Sequence, residues 1–294
     1  MSPQRLALRT LLLGRGRDVL AVLLIGASLC VLDLFAGHIA SVRAEIEYQS
    51  VVGSQLGHLS VVPMASDEHN APGVFDADQA RRVRRLVEAN RGVALALPHG
   101  GTDGAEMERL VVFLNDPDGI AVRRRELATA LRNAGIAAAV HTWKEQSSAW
   151  IEERGASDLA FDSVAGMVFA VIAATIAATS SMNALERRRE VATLRALGMG
   201  SSGVFLMVVA EALWMALIGV ALSLVASGST AWIVNRLGTP DTSMRPGHTL
   251  VELDIERMLM AIVVVLAVAL LAALVPAFKA ARAPVAPALA GLTS

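Results

Sequence analysis

The chain has 294 residues, 54% of them hydrophobic and 18% charged, and its mean hydropathy is +0.52. Soluble domains are about 45–50% apolar and about 25% charged, so this composition excludes a disordered chain and indicates helices buried in lipid. The formal net charge of −1 excludes the basic surplus of a nucleic-acid-binding protein, and a single cysteine, Cys30, excludes an intrachain disulfide and a cysteine-based zinc site.

The first 17 residues carry arginines beside leucines. Ser2 followed by Pro3 is a helix-start pair, and leucines at positions 6 and 11–13 accompany Arg5 and Arg9. This pattern predicts a short cytoplasmic helix over 1–17 that lies in the membrane interface. A disordered basic tail that only sets orientation is the alternative.

Four apolar runs of about 20 residues have the length that a helix needs to cross about 30 Å of hydrocarbon. The second run (163–182) and the fourth (258–278) carry no charge, whereas the first (19–39) contains Asp33 and His38 and the third (204–226) contains Glu211. One charge costs about 2.5–3.5 kcal/mol at the bilayer centre, which the other residues of each run offset. We therefore predict four transmembrane helices, at 18–40, 161–182, 201–228 and 258–278.

The first run also allows another interpretation, a signal peptide cleaved near Ala44. The run is long for a signal peptide, and cleavage would leave three spans. We therefore retain the four-span interpretation.

Basic residues determine the predicted orientation, because cytoplasmic loops are enriched in lysine and arginine. They precede the first run, lie between the second and third, and follow the fourth: Arg5, Arg9, Arg15, Arg17, Arg187, Arg188, Arg189, Arg195, Lys279 and Arg282. The pattern predicts a multi-pass protein of the cell inner (cytoplasmic) membrane. Both termini, the turn 183–200 and the tail 279–294 are then cytoplasmic, and residues 41–160 and a short loop at 229–257 are extracytoplasmic.

Residues 41–160 have the pattern of a mixed α/β domain. Strands are predicted at 57–62, 93–97, 110–114 and 136–140, and helices at 76–90 and 118–133. The order β-α-β-β-α-β is typical of a ferredoxin-like sandwich. The expected core faces of the two helices are Val83, Leu86, Val87, Val122, Leu127 and Leu131. A predicted span adjoins each end of this domain, so a relative movement of those two helices would be transmitted to it. This favours a mechanical role over a catalytic one.

Motifs for catalysis or metal binding are weak. His58, His69, His99 and His141 have no paired ligand spacing. Lys144 and Lys279, the only lysines, do not lie in a GxxxxGK[ST] loop. We therefore predict no catalytic, cofactor or metal site in this chain, and any ATP and magnesium would be bound by a partner.

The segment 183–200 predicts a short amphipathic helix. Val191, Leu194 and Leu197 recur at helical spacing, and Gly198 is placed to end the helix. Opposite charges three residues apart predict ion pairs from Glu186 to Arg189 and from Arg187 to Glu190. The helix is either a solvated connector or a docking site for a cytoplasmic partner.

Polar and small residues mark the third and fourth spans. Small residues around Gly219 in the third span, Ala212, Ala216, Ser223 and Ser227, predict close helix packing, either within one chain or at a dimer seam. Glu211 is either a hydrogen-bonding anchor or part of a polar path, and Asp33 could reach the interface. Pro276 should kink or end the fourth helix.

Several of these residues together resemble the FtsX-like permeases of ABC transporters, of the MacB, LolC/LolE and FtsX type (type VII). The resemblance rests on Asn183, on Glu186 and Arg187, on Arg189 and Glu190, and on the LRALG run 194–198. It extends to Glu211 with Gly219, to the closing segments 276–282 and 287–289, and to the opening segment 6–17. The departure is size, because 41–160 has room for a porter-type ferredoxin-like portion and not for the inserted second lobe of many relatives.

The resemblance implies a dimeric permease, paired with a second copy or a paralogue, that is not itself an enzyme. An ABC ATP-binding subunit would dock at the turn, on Glu186, Arg187, Arg189, Glu190, Leu194, Arg195, Leu197 and Gly198. Closure of that subunit would move the outer domain to export or extract a hydrophobic client such as a lipoprotein, lipid or drug, with a carrier protein as a further partner. The alternative is a mechanotransmitter that activates a partner such as a cell-wall hydrolase; an anchored enzyme is the least supported interpretation.

Overall fold

The computed structural model describes residues 16–64, 73–100, 107–238, 247 and 249–282. The predicted interfacial helix 1–17 lies outside these ranges except for its last two residues, as do His69 and most of the predicted tail 279–294. The chain divides into two compact units. The first, which contains the predicted spans and is called the membrane unit, comprises Met1–Ser41, Asp158–Thr239 and Thr249–Ser294. The second, called the outer unit after its predicted location, comprises Val42–Ser157 and Pro240–His248.

The secondary structure alternates long helices with a small α/β region. Its elements, in chain order, are α1 (Gly16–Tyr48), a π-helical turn (Gln49–Gly53), β1 (Leu59–Pro63), α2 (Ala77–Glu88), β2 (Val93–His99), β3 (Arg109–Leu114), a 3₁₀ turn (Pro117–Gly119), α3 (Ile120–Asn133), β4 (Ala138–Thr142), α4 (Trp143–Gln146), α5 (Ser148–Glu186), α6 (Arg188–Ala196), α7 (Ser201–Leu237) and α8 (Ile255–Ala281).

Four helices in the described part of the chain, α1, α5, α7 and α8, are long and apolar enough to cross a membrane. Several boundaries differ from the sequence prediction. Helix α1 continues to Tyr48, beyond the predicted end at 40, and α5 begins at Ser148, before the predicted start at 161, because both helices extend past their apolar runs into polar sequence. Helix α7 continues to Leu237, so the first residues of the predicted loop 229–257 are helical. Of the two predicted effects of Pro276, a kink or a helix end, the helix end does not occur: α8 continues through Pro276 to Ala281. Neighbouring helices make proline tolerable in a membrane helix.

Helix α7 lies at the centre of the membrane unit. Its small residues Ala212 and Ala216 are fully buried, as are Ile25 of α1, Ile176 of α5 and Ala269 of α8. Gly219 lies directly against α1: a Cβ added there would lie 2.6 Å from Cγ2 of Ile25. The small-residue row of α7 therefore serves packing within this chain.

A strap at residues 249–252 joins the ends of α1 and α7. The Asn235 side chain donates to the Val251 carbonyl at 2.9 Å and accepts from the Val251 N–H at 3.0 Å. The N–H of Glu252 donates to the carbonyl of Gly37 at 3.0 Å. These bonds fix α1 and α7 to the segment that leads into α8.

The outer unit has a four-stranded antiparallel sheet in the order β2–β3–β1–β4. The observed element order β-α-β-β-α-β is the predicted one, with boundaries that shift by a few residues. Val83 and Val87 of α2 and Leu127 and Leu131 of α3 form a core with the sheet. The prediction that Val122 joins this core is wrong: its side chain is 58% exposed. It lies on a different side of α3 from Ile120, Leu127 and Leu131, whose spacing of seven and four residues places them on the face that packs against the sheet.

Two hydrogen bonds within the outer unit join the end of α1 to the start of α5. Arg43 donates from Nη2 to Oγ of Ser157 at 2.6 Å. The hydroxyls of Ser50 and Ser147 lie 2.8 Å apart and are buried. The polar extensions of the two helices are therefore fastened to each other.

Candidate functional site at the arginine-rich turn

The helix α6 is a separate short helix between two long ones. Helix α5 ends at Glu186, Arg187 leaves the helical conformation with φ −92° and ψ 13°, and α6 begins at the next residue. At its other end the N–H of Gly198 donates to the carbonyl of Arg195 and the N–H of Met199 donates to that of Leu194. This pair of bonds is a Schellman motif, and Gly198 adopts the φ of +99° that the motif requires.

The apolar side chains of this turn point in different directions. Val191 is buried and packs with Val204 and Met207 of α7. Leu197 is 81% exposed, and Leu194 is half-buried. The prediction that Val191, Leu194 and Leu197 share one face is therefore wrong, because Leu197 is the C-cap and lies beyond the last helical residue.

A buried polar cluster lies beside the turn, and Asn183 is its centre. Nδ2 of Asn183 donates to Oε1 of Glu211 at 2.8 Å and to Oδ1 of Asp18 at 3.1 Å. Glu211 is only 5% exposed and Asp18 only 7%. Since an amide NH₂ group has two hydrogens, a single side chain can satisfy both carboxylates and link α1, α5 and α7.

Arginines complete the cluster. Nη1 of Arg187 lies 3.7 Å from Oε2 of Glu211, and its Nε donates to Oε2 of Glu190 at 2.8 Å. The predicted Arg187–Glu190 pair is thus present. Glu186 forms an ion pair with Arg17 at the start of α1. The turn is therefore bonded to α1 and α7 through charged groups.

The structure assembles only part of the predicted site. Glu186, Arg187, Glu190 and Glu211 belong to the cluster, whereas Arg189, Leu194, Arg195, Leu197 and Gly198 lie along the turn. Asp33 lies elsewhere, in the middle of α1, and accepts a 2.9 Å hydrogen bond from Ser223 of α7. It is half-buried between helices and does not reach a helix end.

Arg17 and Asp18 were not predicted to belong to this cluster, and Asn183 was recognised only as part of a family motif. Asp18 had one local signal: it is the first acidic residue of the chain and directly follows Arg17, the last of four scattered arginines near the N-terminus. Its partner Asn183 lies 165 residues away in the sequence, which no periodicity reveals.

Two histidines of the outer unit, His58 and His141, contact neighbouring groups of the fold. Nδ1 of His58 accepts the N–H of Leu114 at 3.0 Å, and burial lowers the pKa of His58. Nδ1 of His141 lies 3.4 Å from Glu145. Burial alone would raise the pKa of Glu145, but hydrogen bonds from the Thr142 N–H, His141 and Arg124 together with the Arg124 charge lower it. Within the described ranges, no group of three or more His, Cys, Asp or Glu could hold a metal ion.

A comparison with protein families identifies the region that contains the turn. Residues 163–285 match the family model of the FtsX-like permease C-terminal domain. The matched region includes Asn183, α6 and Glu211, and it leaves out α1 and the outer unit. No curated protein matches the chain.

Proposed function

We propose that this chain, whose residues 163–285 match the C-terminal domain of the FtsX-like permeases, is the membrane subunit of an ABC transporter that couples ATP hydrolysis in a partner to movement of its outer unit. FtsX-like permeases work with a separate ABC ATP-binding subunit. That subunit would bind ATP and magnesium, and this chain would supply the movement across the membrane.

The observation that carries this proposal is the polar cluster behind an exposed turn. Leu197 offers an apolar contact in a segment rich in arginine, which suits a protein partner better than a lipid or a nucleic acid. We propose docking of the ATP-binding subunit on Glu186, Arg187, Arg189, Glu190, Leu194, Arg195, Leu197 and Gly198.

Coupling would follow from the bonds that join the turn to the long helices. A displacement of α6 pulls on Arg187 and Asn183, and through them on Glu211 and Asp18. Helix α1 continues to Tyr48 and α5 starts at Ser148, so both helices lead from the membrane unit into the outer unit. Glu211 thus acts as an anchor, which is one of the two roles considered for it above.

We propose further that the outer unit is a ferredoxin-like, porter-type domain; its strand order β2–β3–β1–β4 supports this fold. The arginine distribution supports an inner-membrane location with both termini and α6 in the cytoplasm. The apolar surface that α5 and α8 leave exposed suits lipid and a second permease copy or paralogue.

A hydrophobic client is the favoured substrate class, such as a lipoprotein, lipid or drug, with an extracytoplasmic carrier as a partner. A second candidate is a mechanotransmitter that switches a soluble outer partner such as a cell-wall hydrolase. The bonds from Arg43 to Ser157 and from Ser50 to Ser147 favour it equally, since they would transmit a pull on α1 and α5 without any cargo path.

Docking is tested by co-purification of the ATP-binding subunit with the full chain from native membranes. The double variant Glu190→Arg/Leu197→Asp should lose the subunit, because it reverses a charge and places a carboxylate on the exposed apolar contact. Arg82→Glu, an exposed charge reversal on α2 of the outer unit, is the matched control and should retain it. Normal recovery with the double variant would contradict docking at this turn.

A further inference from the structure

The outer unit contains a cavity of 760 Å³ that the proposed function does not use. Its walls are one side of α3 with the 3₁₀ turn before it, the end of α1, and the segment from the end of β4 into α4. This volume falls within the range of about 300–1,000 Å³ that is usual for small-ligand sites.

Five charged side chains line this cavity, and one of them is already engaged. Arg124 donates from Nε to the carbonyl of Val140 at 3.0 Å and from Nη1 to Glu145 at 2.7 Å. The remaining four are two cations and two carboxylates, which form no ion pair with any residue that the structure describes: Arg125, Lys144, Glu47 and Asp118.

The Lys144 side chain lies beside two aromatic rings. Its ammonium lies 5.4 Å from the centroid of Trp143 and 5.2 Å from that of Trp150, distances at which a cation is attracted to the ring faces. The uncharged side chains that line the cavity are mostly apolar: Ile120, Ala121 and Ala128 on α3, with Thr142 at the end of β4. The cavity therefore combines a positioned ammonium with room beside it.

We propose that this cavity binds a small zwitterion in which an ammonium group lies a few atoms from a phosphate, as in a phosphoethanolamine group. Arg125 and Lys144 would bind the phosphate, which a guanidinium and an ammonium recognise as anion donors. Glu47 and Asp118 would bind the ammonium. A ligand of one sign would meet two repelling charges, whereas a zwitterion satisfies both pairs.

The same chemical group could reach the cavity from two sources. It exists as a soluble compound and as the headgroup of a membrane lipid. The lipid is a natural source, because Glu47 lies on the same continuous helix as the first predicted span. The test therefore uses both forms.

The full chain, purified in detergent, is titrated with O-phosphoethanolamine by calorimetry. Inorganic phosphate and ethanolamine, given separately, should bind at least about tenfold more weakly, since each forms only half of the charge contacts. Lys144→Gln and Glu47→Gln should each raise the Kd about tenfold. Arg132→Gln, at an exposed position on α3 that does not line the cavity, is the matched control and should leave the Kd unchanged.

The lipid form is tested by the same titration with lysophosphatidylethanolamine, with lysophosphatidylglycerol as the anionic control. Saturable binding of either phosphoethanolamine form that both Gln variants weaken supports the proposal and identifies the source. Three results would overturn it: no binding of either form, equally tight binding of phosphate or the glycerol lipid, or binding that both variants retain. Thermal unfolding of each variant shows that a loss of binding does not come from misfolding.

Discussion

Asn183 offers a sharp test of the polar cluster, because replacing its amide by a carboxylate changes only one atom type. In Asn183→Asp the N–H donors that face Glu211 and Asp18 are lost, and three carboxylates meet in a buried site. A hydrogen bond to a charged group contributes about 1.5–3 kcal/mol, so losing two of them should cost about 3–6 kcal/mol.

The assay is thermal unfolding of the purified full chain, followed by tryptophan emission. A loss of about 3 kcal/mol corresponds to a fall in Tm of about 6–12 °C for a unit of this size. Two swaps separate a lost donor from general damage: Asp18→Asn/Asn183→Asp and Glu211→Gln/Asn183→Asp each restore one amide-to-carboxylate bond. Both double variants should unfold at a higher temperature than Asn183→Asp alone. An unchanged Tm in Asn183→Asp, or no recovery in either swap, would refute the bonding scheme.

Three further predictions concern packing, pH and topology. Gly219→Ala should cost about 1–3 kcal/mol, because its Cβ would meet Ile25, whereas Gly228→Ala, on the same helix with open space around it, should be neutral or slightly stabilising; equal Tm values would contradict the packing. His58 has a pKa below its ordinary value of 6.5, so as pH falls below 6.5 the unfolded chain takes up a proton that the folded chain refuses, and stability falls. His58→Asn should flatten this dependence of Tm between pH 7.5 and 5.5, and an unchanged slope would assign it to other groups. In a Cys30→Ser background, cysteine at exposed Ala89 should react with an impermeant thiol reagent added to intact cells and cysteine at exposed Ser201 should not, and the reverse labelling would invert the proposed orientation.

The sequence predicted the long helices and the order of the outer unit because both depend on local patterns. A run of about 20 apolar residues has few alternatives to a membrane helix, and alternating strands with amphipathic helices specify β-α-β-β-α-β. The predicted ends of the helices were less accurate: Trp232 and Ile233 continue α7 into the predicted loop 229–257.

The candidate site was only half predictable. Arg187 and Glu190 are three residues apart on the chain, so helical spacing revealed their ion pair. The contacts of Asn183 with Asp18 and of Arg17 with Glu186 join residues more than 160 positions apart, and only the packing of α1 against α5 and α7 brings them together. Leu197 was wrongly predicted from a local pattern: its spacing from Val191 and Leu194 is helical, but the helix ends at Ala196, one residue before it.

Docking of a separate ATP-hydrolysing subunit on the turn at α6 can be measured by affinity isolation of the full chain in mild detergent. Mass spectrometry then identifies the bound proteins, and an ATPase assay follows the activity of the complex. We predict an ABC ATP-binding subunit in stoichiometric amount that is lost with Glu190→Arg/Leu197→Asp. Isolation of the chain without any ATP-binding protein, or with one that the double variant still retains, would contradict the account.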